Sequence, residues 1–227
     1  MPDILIVKTG TTDADIVKTH GDYDDWFLAT IPVEPERIKI VHAYKGEALP
    51  DTDGLAGIIL TGSVLSVTDG EEWMLPLGRW AVSAADNGIP VLAVCFGHQL
   101  VGEVLGAPVV VNRMGLEVGA VDVVLSESGQ KDLIFDGLPR QLDVQASHNF
   151  VVSDVPPRAD LLASNVNTGV QAFGYGENLR AVQFHPEISP STMERLLSVR
   201  GYNGLVRDSG HGIRILQNWI THWVNKT

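Results

Sequence analysis

The chain has 227 residues, 44% of them hydrophobic and 19% charged, with a formal net charge of −12. That length suits one medium-sized α/β domain or at most two small ones, and the acidic balance argues against binding carried by clustered Lys and Arg, to nucleic acid or to an anionic membrane. A single cysteine excludes an internal disulfide, and with neither a signal segment at Met1 nor an apolar run near about 18 residues the expected compartment is the cytoplasm.

Ile4-Leu5-Ile6-Val7 reads as a short strand ending in the turn Thr9-Gly10-Thr11-Thr12. The acidic run Gly21-Asp22-Tyr23-Asp24-Asp25-Trp26 reads as a solvated face or an N-terminal turn, because consecutive carboxylates point in different directions. Residues 38–43 alternate and are rich in β-branched side chains, and residues 55–60 form a third strand closed by Thr61-Gly62-Ser63. Residues 71–87, with Trp73, Leu75, Leu77, Trp80, Ala81 and Ala84, suit a helix ended by Gly88, and residues 90–94 give a fourth strand. Strands separated by helical stretches imply parallel βαβ units with helices on both faces.

From Pro108 the strand signals crowd together, at residues 109–111, 120–125, 142–146, 161–163, 170–175 and 179–184. Gly, Asn and Asp turns between several of them suggest antiparallel hairpins added to the main sheet. The stretch Gly115-Leu116-Glu117-Val118-Gly119 reads as a hairpin turn. Helices over 191–199 and 213–224 close the chain, the latter with Ile213, Leu216, Ile220 and Trp223 on one face. With no repeat, low-complexity tract or linker, residues 1–227 are read as one domain.

Cys95 stands where a reactive thiol would be placed. The strand Pro90-Val91-Leu92-Ala93-Val94 runs into Cys95-Phe96-Gly97-His98-Gln99, and a helix follows from around Gln99-Leu100-Val101. A strand–residue–helix turn with glycine two places on is the geometry of a nucleophile elbow, with the positive helix end aimed at the sulfur. The plainer reading of the same residue is a small buried hydrophobe. A second strand, Ala181-Val182-Gln183-Phe184, delivers His185, Pro186 stops it, and Glu187 follows. An imidazole to accept a thiol proton and an acid to orient it are the needs of Cys–His–acid catalysis. Small residues in Leu60-Thr61-Gly62-Ser63 would let backbone amides approach an oxyanion, together with the amide of Phe96.

Val94-Cys95-Phe96-Gly97-His98-Gln99, Phe184-His185-Pro186-Glu187 and Ile59-Leu60-Thr61-Gly62-Ser63 together resemble the class I (triad-type) glutamine amidotransferases. The resemblance is closest to stand-alone members similar to the glutaminase domain of GMP synthase, and it covers most of the chain. It implies a flavodoxin-like three-layer α/β/α fold with a central, mostly parallel sheet and added antiparallel hairpins in the second half. It implies that Cys95 attacks the γ-carboxamide of glutamine to form a glutamyl thioester, that His185 moves protons, and that Glu187 orients His185. The backbone amides of Ser63 and Phe96, next to Gly62, would hold the oxyanion. Gln99 resembles the family glutamine that lines the pocket, and Ser147-His148 the segment whose backbone receives the α-amino and α-carboxylate groups.

Two departures from the pattern stand out. Thr61-Gly62-Ser63-Val64 replaces a turn that often reads Ser-Gly-Gly-Pro, and Asn149-Phe150 replaces Gly-Asp after the Ser-His pair. His98, where many relatives carry Met, is read as packing or capping the helix. Three functions stay open. One is a glutaminase handing ammonia to a separate synthase subunit. Another is a γ-glutamyl peptidase or hydrolase acting on γ-glutamyl amides or glutathione conjugates. The third is a non-catalytic regulatory protein on the same scaffold. The acyl-enzyme chemistry calls for no metal and no organic cofactor.

Overall fold

The structure is a computed structural model that describes residues 3–225. Three apolar runs, β1 (Asp3–Lys8), β2 (Ile38–His42) and β3 (Leu55–Leu60), pair in parallel at one side of a sheet, and β4 (Val91–Val94) joins β3. After a short β5 (Val109–Val111), β6 (Glu117–Leu125), β7 (Gln141–His148), β9 (Ala159–Ser164), β10 (Ala172–Tyr175) and β11 (Leu179–Val182) complete a nine-stranded sheet in the order β2-β1-β3-β4-β11-β10-β9-β6-β7. β11 is parallel to β4, while the strands beyond it pair antiparallel. β5 and β8 (Phe150–Val152) form a separate antiparallel ribbon. This is the expected α/β sheet, parallel in its first half, with antiparallel strands added in the second.

β1, β3 and β4 are apolar along most of their length because both faces are covered, whereas the edge strand β2 alternates, with Lys39 exposed. Ile4, Ile6, Ile59, Leu92 and Val94 face a core built with Phe27, Leu216 and Trp219. Their neighbours Leu5, Val7, Ile58, Leu60, Val91 and Ala93 face the opposite core with Leu77, Ala81 and Leu100. This alternation is the period of a strand. The first core is closed by α2 (Tyr23–Thr30) and α6 (His211–Trp219), and the second by α3 (Met74–Asp86) and α4 (Phe96–Val104). A third, smaller core joins α1 (Ala14–His20) to α5 (Pro190–Arg200) through Ile16, Met193 and Leu197.

Several boundaries differ from the sequence reading. α4 begins at Phe96 rather than near Gln99, because Cys95 makes the whole strand-to-helix turn by itself. The acidic run is the N-terminal turn of α2, the second of its two readings, and not a solvated face. Asp22 is buried, caps α2 through a reciprocal capping box with Asp25, and pairs with Lys8 at 2.8 Å. Residues 115–119 are not a hairpin turn either. Glu117, Val118 and Gly119 already lie in β6, paired with His148, Ser147 and Ala146. Ile213 is exposed because the buried stripe of α6 runs through Ile215, Leu216 and Trp219 and continues in a π-helical turn, Ile220–Val224.

Candidate active site

β3, β4 and β11 are neighbours in the sheet, and the segments leaving their carboxyl ends are Thr61-Gly62-Ser63, Cys95 and Gln183 to Glu187. In open α/β sheets this edge is where ligands bind. Cys95 sits at φ 52°, ψ −99°, a backbone state that a non-glycine residue adopts only when its surroundings enforce it. Two contacts enforce it. The Cys95 amide donates to the Val182 carbonyl at 2.8 Å, fixing the elbow to β11. Gly97 lets α4 lie directly on β3, since a Cβ there would stand 2.9 Å from the Leu60 carbonyl oxygen.

β11 ends at Val182, and the next residues are held individually. The His185 amide donates to the Gln145 carbonyl of β7 at 2.7 Å. The ring presents Nδ1 to Glu187 Oε1 at 2.7 Å, with both side chains buried. A stacked Tyr23 ring lies 6.2 Å from it, centroid to centroid. Gly62 packs on the same imidazole, where a Cβ would come within 2.7 Å of His185 Cε1. Burial alone would push the imidazole pKa down. The Glu187 carboxylate and the nearby Cys95 sulfur outweigh burial and raise it to about 10. The Tyr23 hydroxyl is held above its ordinary range by burial and by Cys95.

The turn after β3 is bound back onto the end of β1 by hydroxyls. Thr9 Oγ1 and Thr61 Oγ1 each lie 3.0 Å from the Gly62 carbonyl oxygen, and Ser63 Oγ donates to the Thr9 carbonyl at 3.1 Å. In a planar trans peptide the C=O and the following N–H point in opposite directions. Tying the Gly62 oxygen toward Thr9 therefore turns the Ser63 N–H away from this web. Among the described residues, no backbone carbonyl accepts from the amides of Ser63 or Phe96. Ser63 stays out of the positive-φ region, so the Thr-Gly-Ser sequence carries no backbone penalty here.

Cys95, Phe96, Ser63, Gln99 and Ser147 open onto one cavity of about 450 Å³, whereas His185 and Glu187 are not part of its wall. Gln99 Nε2 donates to the Phe150 carbonyl at 2.9 Å and to Gln183 Oε1 at 3.2 Å. His148 also lines the cavity, but its ring is engaged elsewhere. Its Nδ1 is 3.2 Å from the Phe150 carbonyl, and its Nε2 is 3.0 Å from Glu117 Oε2, although that N–H does not point along the line to the oxygen. Glu117 further accepts from Thr168 and Gln171, at 2.9 and 2.8 Å. His98 is fully buried, packs on Phe173 and is held neutral by burial and by His148, with a pKa near 3. It packs, as read from the sequence.

Sequence reasoning brings Cys95, His185, Glu187, Gly62, Ser63, Phe96, Gln99, Ser147 and His148 to one sheet edge, and the structure gathers all nine there. It misses Thr9, Asp13, Tyr23, Glu117 and Arg200. Arg200 precedes a glycine at a helix end, a place where a cation ordinarily answers only the helix dipole. Glu117 falls within the stretch that reads as a turn. A thiol at a strained elbow beside an imidazole–carboxylate pair is an arrangement in which the sulfur can attack a carbonyl and the imidazole can protonate the leaving group. Among the described residues no cluster of three or more His, Cys, Asp or Glu could hold a metal ion, and no helix is long and apolar enough to cross a membrane.

Comparison with known proteins gives the family and the fold. The family model "Glutamine amidotransferase class-I" matches residues 30–201. The chain is 31% identical over 175 residues to a glutamine-hydrolyzing GMP synthase subunit of Saccharolobus solfataricus, spanning 76% of this chain and 88% of that one. It is 26% identical over 192 residues to gamma-glutamyl peptidase 5 of Arabidopsis thaliana, spanning 82% of this chain and 76% of that one. In fold it matches the crystal structure of a glutamine amidotransferase from Thermotoga maritima over 100% of both chains, with a TM-score of 0.77 at 20% identity. With three quarters of its length matched by one family and the elbow, imidazole and carboxylate at the expected sheet edge, the chain belongs to the class I glutamine amidotransferases.

Proposed function

We propose that this protein hydrolyses the γ-carboxamide of glutamine through Cys95, His185 and Glu187. The observation that carries the reading is Cys95 at its strained elbow, beside an imidazole that is bonded to a buried carboxylate, and opening onto a cavity. The Cys95 sulfur, its proton passed to the His185 imidazole, attacks the carbonyl carbon and forms the C–S bond. The carbonyl oxygen becomes an oxyanion between the amides of Ser63 and Phe96. Collapse breaks the C–N bond, the imidazolium gives its proton to the leaving nitrogen, and ammonia departs. The now neutral His185 takes a proton from water as its hydroxyl adds to the thioester, and expulsion of the thiolate releases glutamate.

Gln99 spends its amide nitrogen on Phe150 and Gln183, which leaves its carbonyl oxygen as the end that receives the substrate's α-ammonium. The backbone at Ser147 and His148 takes the rest of the amino-acid head. The likeness to a GMP synthase subunit supports transfer of the ammonia to a separate synthase.

A second reading, hydrolysis of γ-glutamyl peptides, is favoured by the likeness to gamma-glutamyl peptidase 5 and by the room in the pocket. A cavity of 450 Å³ holds roughly fifteen water volumes, more than the ten heavy atoms of glutamine need. Purified protein is to be given glutamine or a γ-glutamyl dipeptide with no partner present, and the ratio of turnover separates the two readings. Glutamate release that survives Cys95→Ala removes the thioester mechanism altogether.

A further inference from the structure

We propose that Arg200 is the residue of the Cys95 pocket that reads a ligand carboxylate, and that Asp13 holds it in position. This inference rests on the reading of that cavity as the substrate pocket. Arg200 is the last residue of α5, and Gly201 in the left-handed region turns the chain away from the helix. An arginine so placed would ordinarily extend into water. Its side chain instead turns inward and is only 18% exposed, in the wall of the cavity that holds Cys95.

Asp13 shows the same commitment from the other side. It occupies the N-cap of α1, where an aspartate normally accepts from the first helical amides. Its carboxylate makes no such cap bond, and Asp13 Oδ2 accepts from Arg200 Nε at 2.8 Å. The stabilisation of α1 is given up for a fixed guanidinium.

The rest of the guanidinium is only loosely occupied. Nη1 donates to Ser147 Oγ at 3.2 Å and Nη2 to Thr12 Oγ1 at 3.3 Å, both long contacts to neutral oxygens. The Tyr23 hydroxyl lies near enough to act on its charge, and the Tyr23 ring stacks on His185. Arginine offers five N–H donors in a planar fork, and its strongest partner is a carboxylate taken in two parallel bonds. A ligand carboxylate reaching the two terminal nitrogens replaces weak acceptors with a charged one. In a chain of net charge −12 an anionic ligand group needs such a fixed cation. His148, the other cationic candidate in the wall, is turned toward Glu117.

A γ-glutamyl ligand can present that carboxylate from two places: the α-carbon of its glutamyl part, or the amino acid on the far side of the γ-amide bond. The test is calorimetric binding to the Cys95→Ala protein, so that no turnover is needed. The ligands are glutamine, its α-carboxamide, γ-glutamylglycine and γ-glutamylglycinamide. Capping the carboxylate that Arg200 reads should weaken binding about tenfold or more, and Arg200→Met should abolish the difference. The pair of ligands that shows the loss identifies the end that is read. Arg200→Lys, which keeps the charge without the fork, should retain a reduced difference and serves where the methionine variant does not fold. A capping penalty equal in the Arg200 and Arg200→Met proteins, or no binding of any of the four, overturns the proposal. Glutamate release by the protein with Cys95 intact tests the hydrolytic reading separately.

Discussion

Thr9 Oγ1 lies 3.0 Å from the Gly62 carbonyl oxygen, across the gap between the ends of β1 and β3. That contact, shared with Thr61 Oγ1, sets the orientation of the peptide whose N–H belongs to Ser63. If this N–H is an oxyanion donor, the two threonines act on the rate without touching substrate. Thr9→Val and Thr61→Val should each lower kcat for glutamine by less than the ~10²- to 10³-fold that loss of a whole donor costs, and the double variant should approach it. KM should move little. A rise in KM at unchanged kcat would mean the web shapes the pocket and not the donor.

Glu187 meets His185 through one oxygen only, at 2.7 Å, inside a buried pocket. Glu187→Gln keeps the size and removes the charge, so the ring loses both its preferred tautomer and its compensation for burial. The expected fall in kcat is about 10²- to 10⁴-fold. Steady-state assays of glutamate release, with iodoacetamide labelling of Cys95 as a second readout, measure it. Slower alkylation alongside slower turnover ties the carboxylate to the poise of the sulfur.

The same pair links stability to pH. Burial lowers the His185 pKa, but Glu187 and Cys95 together raise it from 6.5 to about 10 in the folded protein. A proton held more tightly by the folded state stabilises it fully below pH 6.5, progressively less above that, and not at all beyond about 10. Compared with His185→Gln, which does not titrate there, the native protein should therefore lose its stability advantage between those limits. Denaturant titrations of both proteins at about pH 6, 8 and 10 give the gap, and a gap that widens with pH would contradict the charged imidazole.

Gly62 is a glycine for space, since a Cβ would press 2.7 Å from His185 Cε1 and 3.1 Å from Tyr23 Cε1. Gly62→Ala should tilt the imidazole away from Cys95. The loss is expected mainly in kcat, at least tenfold, because a displacement of about 1 Å at a reacting group can cost ~10²-fold. Stability should fall by about 1–3 kcal/mol from overpacking. Unfolding midpoints measured with the kinetics separate the two effects.

The sheet was legible wherever both faces are buried, because uninterrupted apolar runs such as Leu55–Leu60 admit few other readings. The site was legible where short motifs fall at strand ends: Cys95, His185 and Glu187 come from contiguous text. Arg200, Asp13 and Thr9 were not, because each acts through partners far away in the chain, and a lone Arg, Asp or Thr carries no periodicity. α1 and α2 were hidden for a different reason. They are short, of 7 and 8 residues, and the acidic run that starts α2 looks like surface until Lys8 is seen beneath it.

Gly97 offers a check on the elbow that does not depend on activity. A Cβ at this position would meet Leu60 Cβ at 2.7 Å and the Leu60 carbonyl oxygen at 2.9 Å, and backbone in the middle of a sheet does not step aside. Gly97→Ala should therefore push α4 off β3 at a cost of about 1–3 kcal/mol, a drop in Tm of roughly 2–10 °C for a chain of this size. Gly169 is the control, because nothing lies within 4 Å of its added Cβ and its φ is not positive. Gly169→Ala should stay within about 0.5 kcal/mol of the parent. Equal melting of the two variants would mean that α4 does not need glycine to reach β3, and that Cys95 owes its backbone strain to something other than this close approach.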